Sequence, residues 1–172
     1  GWKAWFVETA ALALRQISDQ SVAIFFQTDI KREGRWVDKA YLVAKGAELA
    51  AVELLWHKVV CRAPAGRATF GRPAYAHLLC FSRELRLEPR DSFADVLPRL
   101  GEMPWPRAMG VDVCAAVCRF LKQSTTATTV VDPFCGMGTM LAVANAHGLD
   151  AIGVERSAKR ADRARALLVE RD

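Results

Sequence analysis

The residues best placed to do chemistry in this sequence form a glycine-rich turn between two predicted strands, with a glutamate after the second strand. The β-branched run at 128–131 predicts the first strand, which must end before Pro133 because proline donates no ladder hydrogen bond. Gly136 and Gly138 permit backbone conformations that a side chain would forbid. Glu155 comes 19 residues after Gly136, close to the offset of an acid that hydrogen-bonds a ribose in dinucleotide folds. The pattern therefore predicts a nucleoside-bearing cofactor.

Two residues near the turn indicate which kind of nucleoside would bind. A nicotinamide dinucleotide fingerprint has a third glycine where this sequence has Leu141. The carboxylate of Asp132, directly before the turn, would repel a pyrophosphate. A cofactor with a cationic centre and no phosphate therefore fits better, and a nicotinamide oxidoreductase is disfavoured.

The turn resembles a known cofactor-binding loop. Its sequence, Asp132-Pro133-Phe134-Cys135-Gly136-Met137-Gly138-Thr139, is similar to the S-adenosylmethionine loop Asp-Pro-Phe-x-Gly-x-Gly-Thr of the amino-methyltransferases that act on nucleic acids. The segment 153–157 resembles the ribose-binding segment of that family. The resemblance implies S-adenosyl-L-methionine as the cofactor and a binding set of Asp132, Pro133, Phe134, Cys135, Gly136, Gly138, Thr139, Glu155 and Arg156. The alternative is a generic α/β turn with a glutamate at a strand end.

The rest of the chain predicts the elements that must hold this turn in place. Helices are predicted at 2–17, 36–48, 110–122, 139–146 and 157–170, and strands at 21–28, 51–61, 74–82, 128–132 and 151–154. The nearly continuous apolar run of the first strand indicates burial on both faces of a sheet. The strands on either side of the loop at 62–73 should pair antiparallel because only that loop joins them. Residues 29–34 are predicted to form a polar loop, and residues 84–106 an irregular connection.

The order of these elements extends the resemblance to most of the chain. The cofactor loop comes late in the sequence, as in the circularly permuted, or β-class, amino-methyltransferases. The resemblance implies an α/β, Rossmann-like methyltransferase sheet that is mostly parallel with an antiparallel edge strand. We expect one domain, with a substrate-side half at 1–82, an irregular connection at 83–108 and a cofactor-binding half at 109–172. The segment 103–109, at the end of this connection, is similar to a segment of the family that packs on the methionine end of the cofactor. The resemblance therefore adds Met109 to the predicted site.

The family's catalytic loop, an Asp, Asn or Ser followed by Pro-Pro and an aromatic residue, has no counterpart in this sequence, which contains no Pro-Pro pair. In the family that loop comes just before the helix predicted to begin at Trp2. We therefore expect the catalytic residues upstream of Gly1, in a segment of about 40 residues judged from domain size. A protein without that loop would instead be a catalytically inactive methyltransferase-fold subunit that binds nucleic acid or a partner methyltransferase.

A modest basic excess points to a nucleic-acid partner. The net charge is +5, and the loop at 62–73 carries Arg62, Arg67 and Arg72. We predict that these three arginines contact a phosphate backbone, and a merely solubilising loop is the alternative. The resemblance implies DNA as the usual substrate, at adenine N6 or cytosine N4. An RNA substrate, a homodimer and a partner subunit stay open.

The cysteines and histidines are given no catalytic or metal-binding role. The five cysteines are odd in number and lack Cys-x-x-Cys spacing, so we expect packing, no metal site and a reducing compartment. His57 and His77 lie in predicted strands, and neither is assigned as a base. No apolar run approaches the roughly 18 residues of a membrane-spanning helix. We expect a cytoplasmic or nucleoid-associated (or nuclear) protein that is not secreted and has no membrane partner.

Overall fold

The structure, a computed structural model, describes residues 1–170 and groups the chain into two compact units. The first unit, Gly1–Pro98, contains α1 (Trp2–Arg15), β1 (Val22–Gln27), β2 (Ile30–Arg32), β3 (Arg35–Val37), α2 (Lys39–Ala50), β4 (Glu53–Cys61), β5 (Tyr75–Ser82), a 3-10 turn (Pro89–Asp91) and β6 (Val96–Leu97). The second unit begins at Arg99 and contains α3 (Val111–Ser124), β7 (Thr129–Asp132), α4 (Thr139–Ala146), β8 (Asp150–Gly153) and α5 (Ala158–Ala166).

A four-stranded sheet with the order β1-β5-β4-β6 forms the centre of the first unit. The predicted antiparallel pairing of β4 and β5 is confirmed, and β4 pairs parallel with β6. The antiparallel strand was predicted to lie at an edge of the sheet. Instead β5 lies between β1 and β4, because it pairs with β1 on its other side. The register of β4 against β5 shifts between Leu54 and Trp56.

Helices α1 and α2 contact each other at Gly46. A Cβ atom at this position would lie 2.9 Å from Ala10 Cβ and 3.0 Å from both Val7 O and Ala11 N. The glycine is therefore required within α2 because the two helices approach closely there. The adjoining core contains the buried side chains of Leu14, Val43, Ala47, Leu79 and Phe81.

Residues 29–34 were predicted to be a polar loop, and this prediction is wrong. Strands β2 and β3 form an antiparallel hairpin whose two turn residues, Glu33 and Gly34, both have positive φ, at 49° and 75°. A two-residue turn of this kind matches the twist of paired strands. The next helix begins later than predicted, at Lys39, because the Asp38 carboxylate accepts a hydrogen bond from Tyr41 N at 2.8 Å and caps it.

The second unit follows the sequence closely up to its last helix. Strands β7 and β8 are parallel, with Asp132 opposite Gly153, and α4 connects them over the predicted range. Helix α5 ends at Ala166 and not at residue 170, and the side chain of Leu168 is 90% exposed.

Three of the five cysteines are packed inside the protein. Cys80, Cys114 and Cys118 are buried, as the packing role requires, and burial raises the pKa of the Cys118 thiol to about 11. Among residues 1–170, no helix combines the length and the apolar character needed to cross a membrane.

Candidate functional site

The glycine-rich turn lies at the carboxyl end of β7, beside the carboxyl end of the parallel strand β8. The backbone N–H of Cys135 donates to Val154 O at 3.1 Å, and Val154 N–H donates to Asp132 O at 2.9 Å. These bonds fix the turn to the chain that continues from β8. Open α/β sheets bind their ligands at this edge, so the turn lies where a cofactor site is expected.

Two glycines shape the turn for different reasons. Gly138 has φ of +82°, precedes α4, and would place a Cβ atom 2.7 Å from Ala164 Cβ of α5. Gly153, at the end of β8, would place a Cβ atom 2.4 Å from Leu141 Cδ1 and 2.7 Å from Cys135 Sγ. The first position requires both a left-handed backbone and close packing, and the second requires close packing alone.

Asp132 is the charged group closest to the turn in sequence. Its Oδ1 atom accepts a hydrogen bond from Phe134 N at 2.9 Å. Burial raises the pKa of the Asp132 carboxyl, and the Phe134 hydrogen bond offsets part of that effect. A half-buried carboxylate of this kind is stabilised by a nearby positive charge, so the site favours a cationic ligand.

The thiol of Cys135 is affected by both carboxylates of the site. Burial raises its pKa, and the negative charges of Asp132 and Glu155 raise it further. A group that is influenced by both acids lies in a region of negative potential. This region lies where the turn at Cys135 is hydrogen-bonded to Val154, just after β8.

Glu155 is half-buried and follows the carboxyl end of β8. Its Oε1 atom accepts a hydrogen bond from Ser157 N at 2.7 Å, next to the start of α5. Its other carboxylate oxygen makes no hydrogen bond with residues 1–170. A fixed carboxylate with one oxygen free is suited to accept hydrogen bonds from a ribose diol.

The other predicted cofactor residues differ in how the structure places them. Phe134 is 69% exposed beside the turn, whereas Thr139 is buried, and its hydroxyl has no hydrogen-bond partner within residues 1–170. Pro133 precedes Phe134 in the turn. Arg156 is exposed and Met109 is half-buried, and the described hydrogen bonds connect neither side chain to the turn.

Trp105 is a site residue that the sequence analysis missed. Its ring lies against Gly136, where an added Cβ atom would be 3.5 Å from the ring carbon Cζ2. Its indole N–H is buried and has no partner in the described part of the chain. The segment 103–109 was matched through its methionines, prolines and arginine, and the aromatic residue between the prolines was the available signal.

The predicted nucleic-acid contacts lie in the first unit. The Arg62 side chain donates to Thr28 Oγ1 at 2.9 Å, and burial and the Arg72 cation lower its pKa. Arg67 and Arg72 are exposed. None of the three arginines forms an ion pair with a carboxylate in residues 1–170.

A hydrogen-bonded row of side chains crosses the first unit's sheet near the end of β1. His57 Nε2 lies 3.0 Å from His77 Nδ1, and His77 Nε2 lies 3.1 Å from Asp29 Oδ2. Asp29 Oδ1 in turn accepts from Lys39 N at 2.8 Å. Ligand atoms of Asp29, Asp38 and His77 lie within 4.8 Å of one another, a spacing that a divalent cation could use. Both carboxylates already have a structural role, because Asp29 and Asp38 each accept a hydrogen bond from a backbone N–H in the first turn of α2.

Comparisons with known proteins bear on the fold. No protein-family model and no curated protein sequence matches the chain. A candidate DNA modification methylase from Thermus thermophilus, crystallised with S-adenosyl-L-methionine, superimposes with a TM-score of 0.71 at 18% identity, over 96% of this chain and 75% of that one.

Two further structures are similar. The complex of M1.HpyAVI with S-adenosylmethionine gives a TM-score of 0.66 at 13% identity, over 93% of this chain and 80% of that one. The PvuII DNA methyltransferase, which is cytosine-N4-specific, gives 0.70 at 11% identity, over 95% and 69%. The predicted α/β fold class is confirmed. The chain therefore has the fold of the S-adenosylmethionine-dependent DNA methyltransferases.

Proposed function

We propose that this protein binds S-adenosyl-L-methionine at the turn after β7 and transfers its methyl group to an exocyclic amine of a DNA base. The observation that carries the proposal is the glycine turn at the carboxyl end of β7, with the half-buried Asp132 on one side and the half-buried Glu155 on the other. A sulfonium cofactor supplies the positive charge that this pair of acids favours. Two of the similar structures were crystallised with that cofactor.

The residues of the turn have distinct proposed roles in holding the cofactor. Backbone groups of residues 133–139 bind the methionine portion and the ribose, and Glu155 accepts hydrogen bonds from the ribose hydroxyls. The exposed ring of Phe134 and the ring of Trp105 cover the bound nucleoside. The Thr139 hydroxyl supplies a donor that has no partner in residues 1–170. Arg156 and Met109 complete the proposed set.

The proposed chemistry is a displacement that depends mainly on positioning. The bound cofactor supplies an electrophilic methyl group on sulfur. The amine nitrogen forms a bond to that carbon as the carbon–sulfur bond breaks, and the amine then loses a proton to solvent. The protein has to hold donor and acceptor in line, which is the contribution of a rigid turn fixed to a sheet edge.

The proposed acceptor is adenine N6 or cytosine N4. The PvuII methyltransferase, one of the similar structures, is specific for cytosine N4. Because a base in a duplex cannot reach such a site, it must be extruded or already unpaired. The position of the cofactor turn late in the chain supports the permuted order that we propose for this enzyme.

A second candidate function is a methyltransferase-fold subunit without activity of its own. The observation that favours it is that the 172 residues contain no Pro-Pro pair for an Asp-Pro-Pro-aromatic loop. Incubation with tritiated S-adenosylmethionine and with DNA or RNA separates the two candidates. Label in DNA supports the enzyme, and label in RNA alone overturns the DNA assignment. Cofactor binding without transfer to either polymer supports the inactive subunit.

A further inference from the structure

A short hairpin with an exposed tryptophan and several cations lies between β1 and α2. In its register Lys31 is opposite Trp36 and Arg32 is opposite Arg35. Its tight turn at Glu33 and Gly34 has the conformation that rigidly paired strands favour. Arg32, Arg35 and Trp36 are exposed, and 46% of Trp36 is accessible to solvent. The hairpin therefore presents charge and a flat ring in a fixed arrangement.

The hairpin is joined to the basic loop between β4 and β5. The Lys31 ammonium group lies 4.0 Å from the centre of the Phe70 ring and 5.3 Å from the Trp36 ring. Phe70, in that loop, is 81% exposed, which is unusual for a phenylalanine in a folded protein. One cation thus holds two exposed aromatic rings near each other, one from each segment.

The cations of these two segments lack partners of opposite charge. None of the six is ion-paired with a carboxylate in the described chain: Lys31, Arg32, Arg35, Arg62, Arg67 and Arg72. Elsewhere in the same unit Lys58, Arg83 and Arg90 are paired with acids, whereas within residues 1–170 Arg86, like these six, is not. The Arg72 cation also lowers the pKa of Arg62, after burial, so these two arginines of the loop lie close enough to repel each other.

We propose that the hairpin β2–β3 and Phe70 form a surface that binds an unpaired stretch of DNA, with phosphates on Lys31, Arg32 and Arg35 and bases stacked on Trp36 and Phe70. We name this the hairpin surface. Unpaired strands are bound by basic tracks interleaved with aromatic rings, because every base has a face that can stack. Charge alone would equally attract an acidic peptide, and the two exposed rings favour the DNA strand. That DNA is the polymer rests on the proposed function.

Binding is tested by fluorescence anisotropy with a labelled single strand of DNA, the matching duplex, RNA of the same sequence and polyglutamate. We expect the single strand of DNA to bind tightest. The variants Trp36→Ala and Phe70→Ala should each weaken its binding roughly tenfold. Lys31→Ala and Arg35→Ala should each reduce the slope of log K against log salt by about 0.7. Equal or tighter binding of the duplex, the RNA or polyglutamate would overturn the proposal.

Two control variants match the tested ones. Arg86→Ala removes an exposed cation of the same unit, and Trp5→Ala removes a ring that is 57% exposed in α1. Both should bind the single strand like the wild type. If they weaken binding as much as the hairpin variants do, the effect is general and the hairpin surface is wrong. Circular dichroism of every variant identifies those that fail to fold, and for these Trp36→Leu and Phe70→Leu, which keep bulk but remove the ring, serve instead.

Failure of this inference can be distinguished from failure of the proposed function. Calorimetric binding of S-adenosylmethionine without DNA tests the second unit's site alone. If all four variants bind DNA, bind the cofactor and transfer the methyl group like the wild type, only the hairpin surface is overturned. Hairpin-dependent binding of single-stranded DNA without cofactor binding would support the hairpin surface and overturn the proposed function.

Discussion

The carboxylate of Asp132 accepts a hydrogen bond from the backbone N–H of Phe134 at 2.9 Å, two residues further along the chain. This bond closes a local turn at the end of β7 and leaves the ring of Phe134 outside, 69% exposed. It also holds the carboxylate of the half-buried Asp132 at the start of the glycine turn. The Asp132 side chain therefore both closes the local turn and is a candidate to contact a cationic ligand.

Cofactor binding should therefore depend on the ionisation of Asp132. Burial raises the pKa of this carboxyl, so it takes up a proton at a higher pH than an ordinary aspartate. We expect the affinity for S-adenosylmethionine to fall as the pH is lowered through this raised pKa. Calorimetric titrations from neutral to acid pH measure the effect. The control is Asp132→Asn, which should bind weakly at every pH; an equally steep profile in that variant would contradict the assignment.

The raised pKa of Asp132 also affects how the stability of the cofactor-free protein depends on pH. Because the folded pKa of Asp132 lies above its unfolded value, its contribution favours folding at low pH and is lost as the pH rises through the folded pKa. At neutral pH Asp132→Asn should keep the Phe134 hydrogen bond and remove a partly desolvated charge. We expect a higher Tm than the wild type at pH 7. An equal or lower Tm would show that the ionised carboxylate is not destabilising.

Replacement of Glu155 tests the ribose assignment. A hydrogen bond to a charged group contributes about 1.5–3 kcal/mol, so Glu155→Ala should weaken S-adenosylmethionine binding roughly tenfold or more. The matched control is Glu102→Ala, an exposed acid of the same unit, which should bind normally. Unchanged calorimetric affinity in Glu155→Ala would remove this residue from the site.

Substitution of Gly138 should destabilise the protein through both conformation and packing. A left-handed backbone costs an alanine about 1–2 kcal/mol, and the added Cβ atom would also meet Ala164 Cβ at 2.7 Å. Gly66→Ala is the control, because Gly66 has a similar φ of +84° with nothing within 4 Å. We expect urea unfolding to give a larger loss for Gly138→Ala. Equal losses would mean that packing against α5 adds nothing.

The histidine pair makes a prediction that NMR can test directly. Burial and the neighbouring His77 lower the pKa of His57, so the folded state favours its neutral form. This contribution to stability is present above the unfolded pKa of about 6.5 and is lost as the pH falls below it. Titration of the ring proton signals should place the pKa of His57 below 6.5. His57→Gln assigns the signal, and a midpoint at or above 6.5 would contradict the close pairing of His57 with His77.

The parts of the fold that could be predicted depend on local chemistry. Pro133 ends β7, and Gly136 and Gly138 allow the turn, because each acts through the steric properties of its own backbone. The bounds of α4 follow from the same glycine turn and from Gly148, which has φ of +75° just after the helix. For this reason the candidate cofactor turn could be located from the sequence alone.

The parts that could not be predicted depend on contacts distant in sequence. The contact of Trp105 with Gly136 joins segments about 30 residues apart, and no periodic pattern marks it. The place of β5 inside the sheet depends on its pairing with β1, which the hairpin with β4 does not imply. The polar residues of 29–34 hid a hairpin because Glu33, in a left-handed conformation, is an uncommon turn residue.

The contact at Gly46 limits how this protein can diverge. Two of the three atoms that a Cβ at position 46 would meet, Val7 O and Ala11 N, belong to the main chain of α1. A smaller side chain at position 10 therefore cannot compensate for a larger one at position 46. Homologous sequences that keep this helix crossing should be nearly invariant at position 46, without covariation, whereas drift there would indicate that the two helices have moved apart.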